Sequence, residues 1–155
     1  MKSSLPIEAL RAALVKALKA GNRAVIQAPT GSGKSTQIPQ MLVDEELVQG
    51  RVVVLQPRRI ATRMLAKRMA QERGGKLGDE VGYHIRFDRV FDKGTRILFV
   101  TEGLLLRQML QGGGLKGVGA GVFDEFHERN LYSDLSLTLA KQVQDLFNGP
   151  RFRVY

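Results

Sequence analysis

A glycine-rich stretch, APTGSGKST at residues 28–36, carries the residue types that hold a nucleotide phosphate. Gly31 and Gly33 allow the backbone to turn its N–H groups inward around an anion. Lys34 would place a positive charge at the β- and γ-phosphates, and the Ser35 hydroxyl would bind Mg²⁺. The usual pattern begins with a further glycine, for which this sequence has alanine. An apolar run before the stretch and a helical pattern after it favour a phosphate loop over a plain turn.

A second stretch whose side chains could take part in catalysis is VFDEFHERN, at residues 122–130. Asp124 ends an apolar run, which is where a carboxylate holds Mg²⁺ in P-loop enzymes. Glu125 follows directly and is suited to orient or deprotonate a water molecule at the γ-phosphate. A water-activating acid indicates hydrolysis of the bound nucleotide, because phosphoryl transfer to a small acceptor has no use for such an acid. His127, which lies close to both acidic residues in the sequence, is a further candidate for a functional residue.

These residues need a sheet that brings them together, and the hydrophobic pattern predicts one. Short apolar runs alternate with helical patterns, which is typical of an α/β fold with a parallel sheet and helices on both faces. Ligands bind at the carboxyl ends of parallel strands. Because the phosphate loop and Asp124 both follow predicted strands, we expect them to meet at one edge of the sheet.

The predicted strands are residues 24–28, 52–56, 81–87 (a strand or an extended loop), 96–100 and 122–125, with one more beginning in RFRVY. The predicted helices are residues 5–18, 34–46, 58–72, 102–110 and 134–147. We interpret the glycine-rich residues 112–121 as a flexible connector.

Composition narrows the class of partner. Lys and Arg number 24 against 15 Asp and Glu, which gives a net charge of +9 and indicates a nucleic acid as partner. The absence of Cys excludes disulfides, Cys-ligated zinc and thiol catalysis, and it fits a reducing cytoplasm. No apolar run is long enough to span a membrane, so no membrane partner is expected. The N-terminal residues predict a helix and not a signal peptide.

With these residues in view, the sequence resembles the DEAH-box group of superfamily-2 RNA helicases. The stretches APTGSGKST, LQPRRIA, VGYHIRF, TEGLLLR and DEFHER carry the resemblance, in the order that the group has them. The DEFH spelling, with Phe126, is most similar to the bacterial HrpB-type members. The superfamily also has alanine at the start of the phosphate loop, which accounts for Ala28. The resemblance covers the chain from about Leu5 to its last residue.

The resemblance implies a role for each matching residue. The triphosphate of ATP would be bound by Thr30, Gly31, Ser32, Gly33, Lys34, Ser35 and Thr36, and Mg²⁺ by Ser35 and Asp124. The catalytic set would be Lys34, Asp124, Glu125 and His127, with His127 coupling the nucleotide site to a second domain. Arg68 would stack on the nucleotide base, which implies loose base selectivity. Arg58 and Thr101 would contact single-stranded RNA or DNA, and Arg86 is either a third contact or an ordinary surface arginine.

The resemblance also implies that residues 1–155 are the first of two RecA-like domains. The chain starts with Met and a helix, and it ends before the strand that carries motif III in this group. We therefore expect a piece of a longer protein whose second RecA-like domain is absent here. Alone, it should bind nucleotide weakly, hydrolyse it barely and not unwind a duplex.

Several residues have ordinary structural interpretations. Arg59, Arg63 and Lys67 recur every fourth position, so we expect them to form a solvated helix face. Core packing is favoured over base stacking for three aromatic residues, Tyr83, Phe87 and Phe91. His84 is interpreted as a strand residue with a hydrogen-bonded ring. Two other functions stay open for the chain: a P-loop phosphotransferase and a non-catalytic nucleic-acid-binding module.

Overall fold

A computed structural model describes residues 10–21, 24, 26, 33–110, 117–123 and 152–154 of the chain. Within them the helices are α1 (Arg11–Ala20), α2 (Lys34–Asp44), α3 (Arg59–Glu72) and α4 (Glu102–Leu110). The strands are β1 (Arg51–Gln56), β2 (Val81–Ile85), β3 (Asp88–Val90), β4 (Ile97–Thr101), β5 (Val118–Phe123) and β6 (Phe152–Val154). The predicted alternation of helices and strands is confirmed for these residues. The strand predicted at residues 24–28 and the helix at 134–147 lie largely or wholly outside them.

The described strands form a six-stranded sheet in the order β3-β2-β4-β1-β5-β6. Strand β1 pairs in parallel with β4 and β5, and the pairs β2–β4 and β5–β6 are parallel as well. Strand β3 alone runs antiparallel, against β2. The predicted parallel sheet is therefore confirmed, and the ambiguous residues 81–87 form β2 and the start of a hairpin that sequence reasoning did not resolve.

Alternate residues of β1 serve the two faces of the sheet. Val52 and Val54 pack in one apolar cluster with residues of α1, α2 and α3. Val53 and Leu55 pack in the other with Leu105 of α4. A strand covered on both faces is continuously apolar, and burial of each such side chain contributes about 1.5–3 kcal/mol. The run VVVL is such a strand, and the prediction of helices on both faces is confirmed.

Strand β5 begins earlier than the sequence predicts. Residues 112–121 read as a flexible connector, but Val118 already pairs with β1. Gly119 lies against Gln49, and a Cβ atom at this position would overlap the carbonyl oxygen of that residue. Ala120 is fully buried. The small residues permit a close approach of two backbone segments here, so the prediction of flexibility is wrong from Val118 onward.

Candidate functional site

The carboxyl ends of four neighbouring strands meet at one edge of the sheet. In the register of the ladder, Gln56 at the end of β1 lies beside Thr101 at the end of β4. Leu55 lies beside Phe123, the last residue of β5. Strand β2 ends at the same edge, because it runs parallel to β4 with His84 beside Val100. Side chains that are far apart in the sequence therefore converge on this edge, as expected for a parallel sheet.

The end of the phosphate loop is built as its glycine predicts. Gly33 precedes α2 with a φ of 93°, in the left-handed region that favours glycine. Its carbonyl oxygen accepts a hydrogen bond of 2.8 Å from the N–H of Gln37. Lys34 and Ser35 form the first turn of α2, at the positive end of the helix dipole. The geometry from Gly33 onward suits an anion, whereas Thr30, Gly31 and Ser32 lie outside the described residues.

Thr36 is more enclosed than its neighbours in the loop. Its side chain is buried, and the hydroxyl donates to the carbonyl oxygen of Gly33 at 3.4 Å. The same hydroxyl accepts from Gln37 Nε2 at 3.4 Å. These contacts support the shape of the loop, and the triphosphate contact predicted for Thr36 stays a prediction.

A cavity of about 420 Å³ lies between the first turns of α2 and α3. This volume is in the range of small-ligand sites. Its lining residues are Ser35, Gln56, Pro57, Arg58, Ala61, Met64 and Leu65. The cavity brings together one predicted Mg²⁺ ligand, Ser35, and one predicted nucleic-acid contact, Arg58. Gln56, which is only 2% exposed, was missed by sequence reasoning. The sequence feature that could have indicated Gln56 is its position as a polar residue at the end of an apolar run.

Arg58 occupies the position just before α3. Its backbone is extended, and its carbonyl oxygen accepts hydrogen bonds from the N–H of Thr62 at 3.0 Å and from its hydroxyl at 2.8 Å. Thr62 is fully buried, so the first turn of α3 is firmly held. The Arg58 side chain is exposed at the carboxyl edge, and Thr101 is half-buried beside Gln56. Both predicted nucleic-acid contacts therefore lie at the same edge.

Arg68 lies on the part of α3 that faces α2. Its Nε donates to Glu72 Oε1 at 3.1 Å, and its side chain is 65% exposed. The other carboxylate oxygen of Glu72 accepts from Gln40 at 3.1 Å and from Gln37 at 3.4 Å. The guanidinium is thus held near the first half of α2, and its stacking on a nucleotide base stays a prediction.

The turn between β2 and β3 differs from expectation. Phe87 is 89% exposed, so core packing is wrong for this residue, and the guanidinium of Arg86 lies 4.8 Å from the centre of its ring. Core packing is confirmed for Tyr83, which is buried, and Phe91 is half-buried against the second apolar cluster. The difference arises because Phe87 follows the end of β2, where the sheet no longer has a face to cover it.

Two arginines expected on a solvated face contact this hairpin. Arg59 donates to the carbonyl oxygen of Arg86 at 3.1 Å, and Arg63 forms a 2.6 Å ion pair with Asp88 Oδ2. Tyr83 donates its hydroxyl to the same carboxylate oxygen at 2.9 Å. The hydrogen bonds from Tyr83 and then Arg63 hold the pKa of Asp88 below its usual value. No spacing in the sequence signals these contacts.

His84 is a strand residue with a ring partner, as predicted. Its Nδ1 lies 3.5 Å from Gln108 Nε2, and its ring is 5.4 Å from that of Phe91. Burial, followed by the charge of Arg89, lowers the pKa of His84. The described residues contain no group of three or more His, Asp or Glu side chains that could hold a metal ion. Asp124, Glu125 and His127 are outside that part of the chain.

The fold and the carboxyl edge define an α/β protein with a mainly parallel sheet, in which α2 begins directly after a left-handed glycine. Comparison with known proteins identifies the class, because the DEAD/DEAH box helicase family matches residues 9–147. The chain therefore belongs to the DEAD/DEAH box helicase family, and the resemblance drawn from its motifs is confirmed. None of the helices in the described residues is long and apolar enough to cross a membrane.

Named relatives share most of this chain. The ATP-dependent RNA helicase HrpB of Escherichia coli is 42% identical over 142 residues, covering 92% of this chain and 18% of the relative. The probable ATP-dependent RNA helicase DHX35 of Homo sapiens is 44% identical over 146 residues, covering 92% and 21%. A crystal structure of the E. coli DExH-box NTPase HrpB matches with a TM-score of 0.93 and 39% identity, over 99% of this chain and 19% of that one. The chain thus spans about a fifth of the length of these relatives.

Proposed function

We propose that this chain is the first RecA-like domain of an ATP-dependent RNA helicase and that it binds Mg-ATP at the carboxyl edge of its sheet. The observation that carries the proposal is the cavity that Ser35 shares with Gln56 and Arg58. It joins the end of the phosphate loop to the segment that leaves β1. Family membership and the ATP-dependent relatives support the same function.

The register of β1 and β5 supports a role for the acidic pair in the same cavity. Phe123 lies beside Leu55, and Gln56 is the next residue of β1. Chain connectivity limits Asp124 to about 3.8 Å from Phe123, measured between Cα atoms. We infer that Asp124 reaches the cavity that Ser35 lines.

The residues of this cavity fit a metal–triphosphate. A serine hydroxyl on the first turn of a helix and an acid at a strand end are oxygen donors of the kind that Mg²⁺ takes, and Mg²⁺ would neutralise charge on the phosphates. Lys34 binds the β- and γ-phosphates next to the left-handed turn at Gly33. Glu125 holds the attacking water, and Thr36 keeps the loop in shape.

The other half of the edge is suited to a nucleic-acid strand. Arg86, Thr101 and Arg58 follow or end β2, β4 and β1, which are neighbours in the sheet. Adjacent strands are about 4.8 Å apart, so the three residues form a row along the edge. Residues 56–58 line the nucleotide cavity and also carry Arg58. Movement of this one segment would couple the two halves.

A second RecA-like domain completes the proposed enzyme. Related NTPases gain roughly 10³–10⁵ in rate from an arginine finger, and in this superfamily the second domain supplies it. We therefore expect the 155 residues alone to hydrolyse ATP barely and not to unwind a duplex. RNA-stimulated turnover by this segment alone would contradict that expectation.

The test is ATP hydrolysis by the full-length protein with and without single-stranded RNA or DNA. The Glu125→Gln variant should retain ATP and lose turnover by about 10²-fold or more, because a positioned base contributes 10²–10⁴-fold. Asp79→Asn is the matched control. It makes the same carboxylate-to-amide change at an exposed residue before the amino end of β2, so it should leave turnover unchanged.

Two results would replace the proposal. Phosphorylation of a small acceptor, with Glu125→Gln nearly silent, would indicate a P-loop phosphotransferase. Salt-dependent RNA binding without any effect of ATP would indicate a non-catalytic binding module.

A further inference from the structure

The hairpin turn at Arg86 and Phe87 presents an aromatic ring and a guanidinium to solvent. Strand β2 ends at Ile85, and β3 begins at Asp88, so two residues make the turn. Phe87 has a φ of 65°, which is uncommon for any residue with a side chain. The residue is 89% exposed, and the Arg86 guanidinium lies 4.8 Å from the centre of its ring. Such a pair offers one face for a base and one cation for a phosphate.

Arg59 and Arg63 of α3 attach the β2–β3 hairpin to this helix, and Tyr83 of β2 shares the carboxylate that Arg63 contacts. Asp88 Oδ2 accepts hydrogen bonds from the Arg63 guanidinium at 2.6 Å and from the Tyr83 hydroxyl at 2.9 Å. The Arg63 guanidinium also lies 6.0 Å from the centre of the Tyr83 ring. Arg59, one turn earlier on α3, donates to the carbonyl oxygen of Arg86 at 3.1 Å. We call Arg63, Tyr83 and Asp88 the hairpin clamp.

The hairpin clamp affects the orientation of the hairpin relative to α3 more than it affects the free energy of folding. The Arg63 and Asp88 side chains are 51% and 33% exposed, and exposed ion pairs add little to the free energy of folding. A carboxylate that accepts from two elements at once nevertheless restricts how they turn relative to each other. Because α3 begins directly after Arg58, the helix that receives the clamp also carries the other predicted phosphate contact.

We propose that Asp88 is a positioning residue for nucleic-acid binding. Together with Arg63 and Tyr83, it locks the turn of Arg86 and Phe87 to α3, so that the turn meets single-stranded RNA in a preset orientation relative to Arg58. This inference rests on the proposed function. The Arg86 guanidinium contacts the sugar–phosphate backbone, and the Phe87 ring stacks on a base. Preorganisation of this kind saves the cost of ordering side chains when the strand binds.

Charge alone predicts the opposite effect of removing Asp88. The carboxylate lies among four arginines, Arg59, Arg63, Arg86 and Arg89, on a chain with a net charge of +9. Replacing an acid by an amide on such a surface strengthens attraction to a polyanion. The hairpin clamp predicts weaker binding, because the turn loses its side-chain attachment through Arg63 and keeps only the hydrogen bond from Arg59. The sign of the change therefore distinguishes the two effects.

The experiment measures the RNA concentration that half-maximally stimulates ATP hydrolysis by the full-length protein. Asp88→Asn should raise this concentration by about two- to tenfold, the equivalent of re-ordering one or two side chains on binding, with kcat at saturating RNA nearly kept. Tyr83→Phe changes no charge and should shift it in the same direction. Asp79→Asn, the charge-matched control, should leave it unchanged or lower it slightly.

A second readout follows the turn itself. Residues 1–155 contain no Trp, so in this segment Phe87→Trp places a single fluorophore in the turn. Adding Asp88→Asn to this variant should lower the fluorescence anisotropy without RNA, because the ring gains freedom of motion. Adding Asp79→Asn should not. Thermal unfolding of each variant verifies that the fold persists.

The outcomes separate this inference from the function on which it rests. If RNA stimulates the wild-type protein and Asp88→Asn responds like Asp79→Asn, the clamp has no positioning role and only the inference is overturned. An unchanged anisotropy in the Trp variant would overturn it as well. If RNA fails to stimulate the wild-type protein, the proposed RNA helicase function itself is overturned, and the inference with it.

Discussion

At the scale of single residues, His84 shows how burial and a nearby charge change the chemistry of one side chain. The ring lies half-buried between Gln108 and Phe91, and its pKa falls below the ordinary value of 6.5. The folded protein therefore favours the neutral ring more strongly than the unfolded chain does. The stability that results is fully present above the unfolded pKa and is lost as the pH falls through the folded pKa.

This sign leads to a prediction for the pH dependence of stability. The free energy of unfolding, from urea titrations, should be smaller near pH 5.5 than near pH 7.5, because the unfolded chain takes up the proton on His84 first. His84→Gln should lose less stability over the same interval, since Gln keeps a hydrogen-bonding group but does not titrate. Equal losses in the two proteins would show that His84 is not the source.

At the scale of elements, the path of β5 depends on a backbone contact that only glycine permits. Gly119 lies so close to residue 49 that a Cβ would overlap the Gln49 carbonyl oxygen and stand 2.8 Å from its carbon. Gly121 lies two residues further along the strand. A Cβ atom at this position would be 3.4 Å from the ring of Phe123, which is an ordinary van der Waals distance. The same strand therefore contains a required glycine and a replaceable one.

Alanine substitution should separate these two glycines. Gly119→Ala should lower the free energy of unfolding by about 2 kcal/mol or more, because the backbone at residue 49 must shift. Gly121→Ala, the control on the same strand, should cost about 1 kcal/mol or less, since a side chain can adjust. Chemical denaturation of both variants tests the prediction, and similar losses would contradict the proposed backbone contact.

At the scale of the whole molecule, Arg73 joins three elements at the amino ends of the strands, opposite the carboxyl edge that holds the candidate site. It follows the end of α3 and pairs with Glu80 at 2.7 Å, just before β2, and with Asp44 at 2.9 Å, at the end of α2. Its side chain is only 15% exposed. The hydrogen bonds from Arg73, first to Glu80 and then to Asp44, raise the pKa of the guanidinium, so it stays charged.

Replacing Arg73 should lower the free energy of unfolding of the whole fold, because its partners belong to different elements. Arg73→Met leaves two carboxylates without their shared partner and should cost about 1–2 kcal/mol of unfolding free energy, reduced from the value for a buried pair because both acids are partly exposed. The control is Arg11→Met, which breaks an exposed ion pair with Glu45, the residue after the end of α2. This variant should cost about 0.5 kcal/mol or less of unfolding free energy. Equal losses in urea titrations would contradict a special role for Arg73.

Features that depend on near neighbours along the chain could be predicted from the amino-acid sequence. The bounds of the helix Glu102–Leu110 follow from its local pattern, and the glycine before Lys34 takes the left-handed conformation that its motif requires. The continuous apolar run of β1 indicated a strand covered on both faces. The phosphate loop, the acidic pair and the family resemblance were equally readable, because each is a short motif whose chemistry lies in its own residues.

Contacts between residues that are distant in the sequence became visible only in the folded chain. The reversal of the chain at Phe87, the exposure of its ring and the pairing of Asp88 with Arg63 leave no periodic trace in the sequence. The early start of β5 was missed for the same reason, since glycines predict flexibility until Gln49 is seen against Gly119. In each case the controlling partner comes from another element, and its distance and burial are set by the packing of the whole sheet.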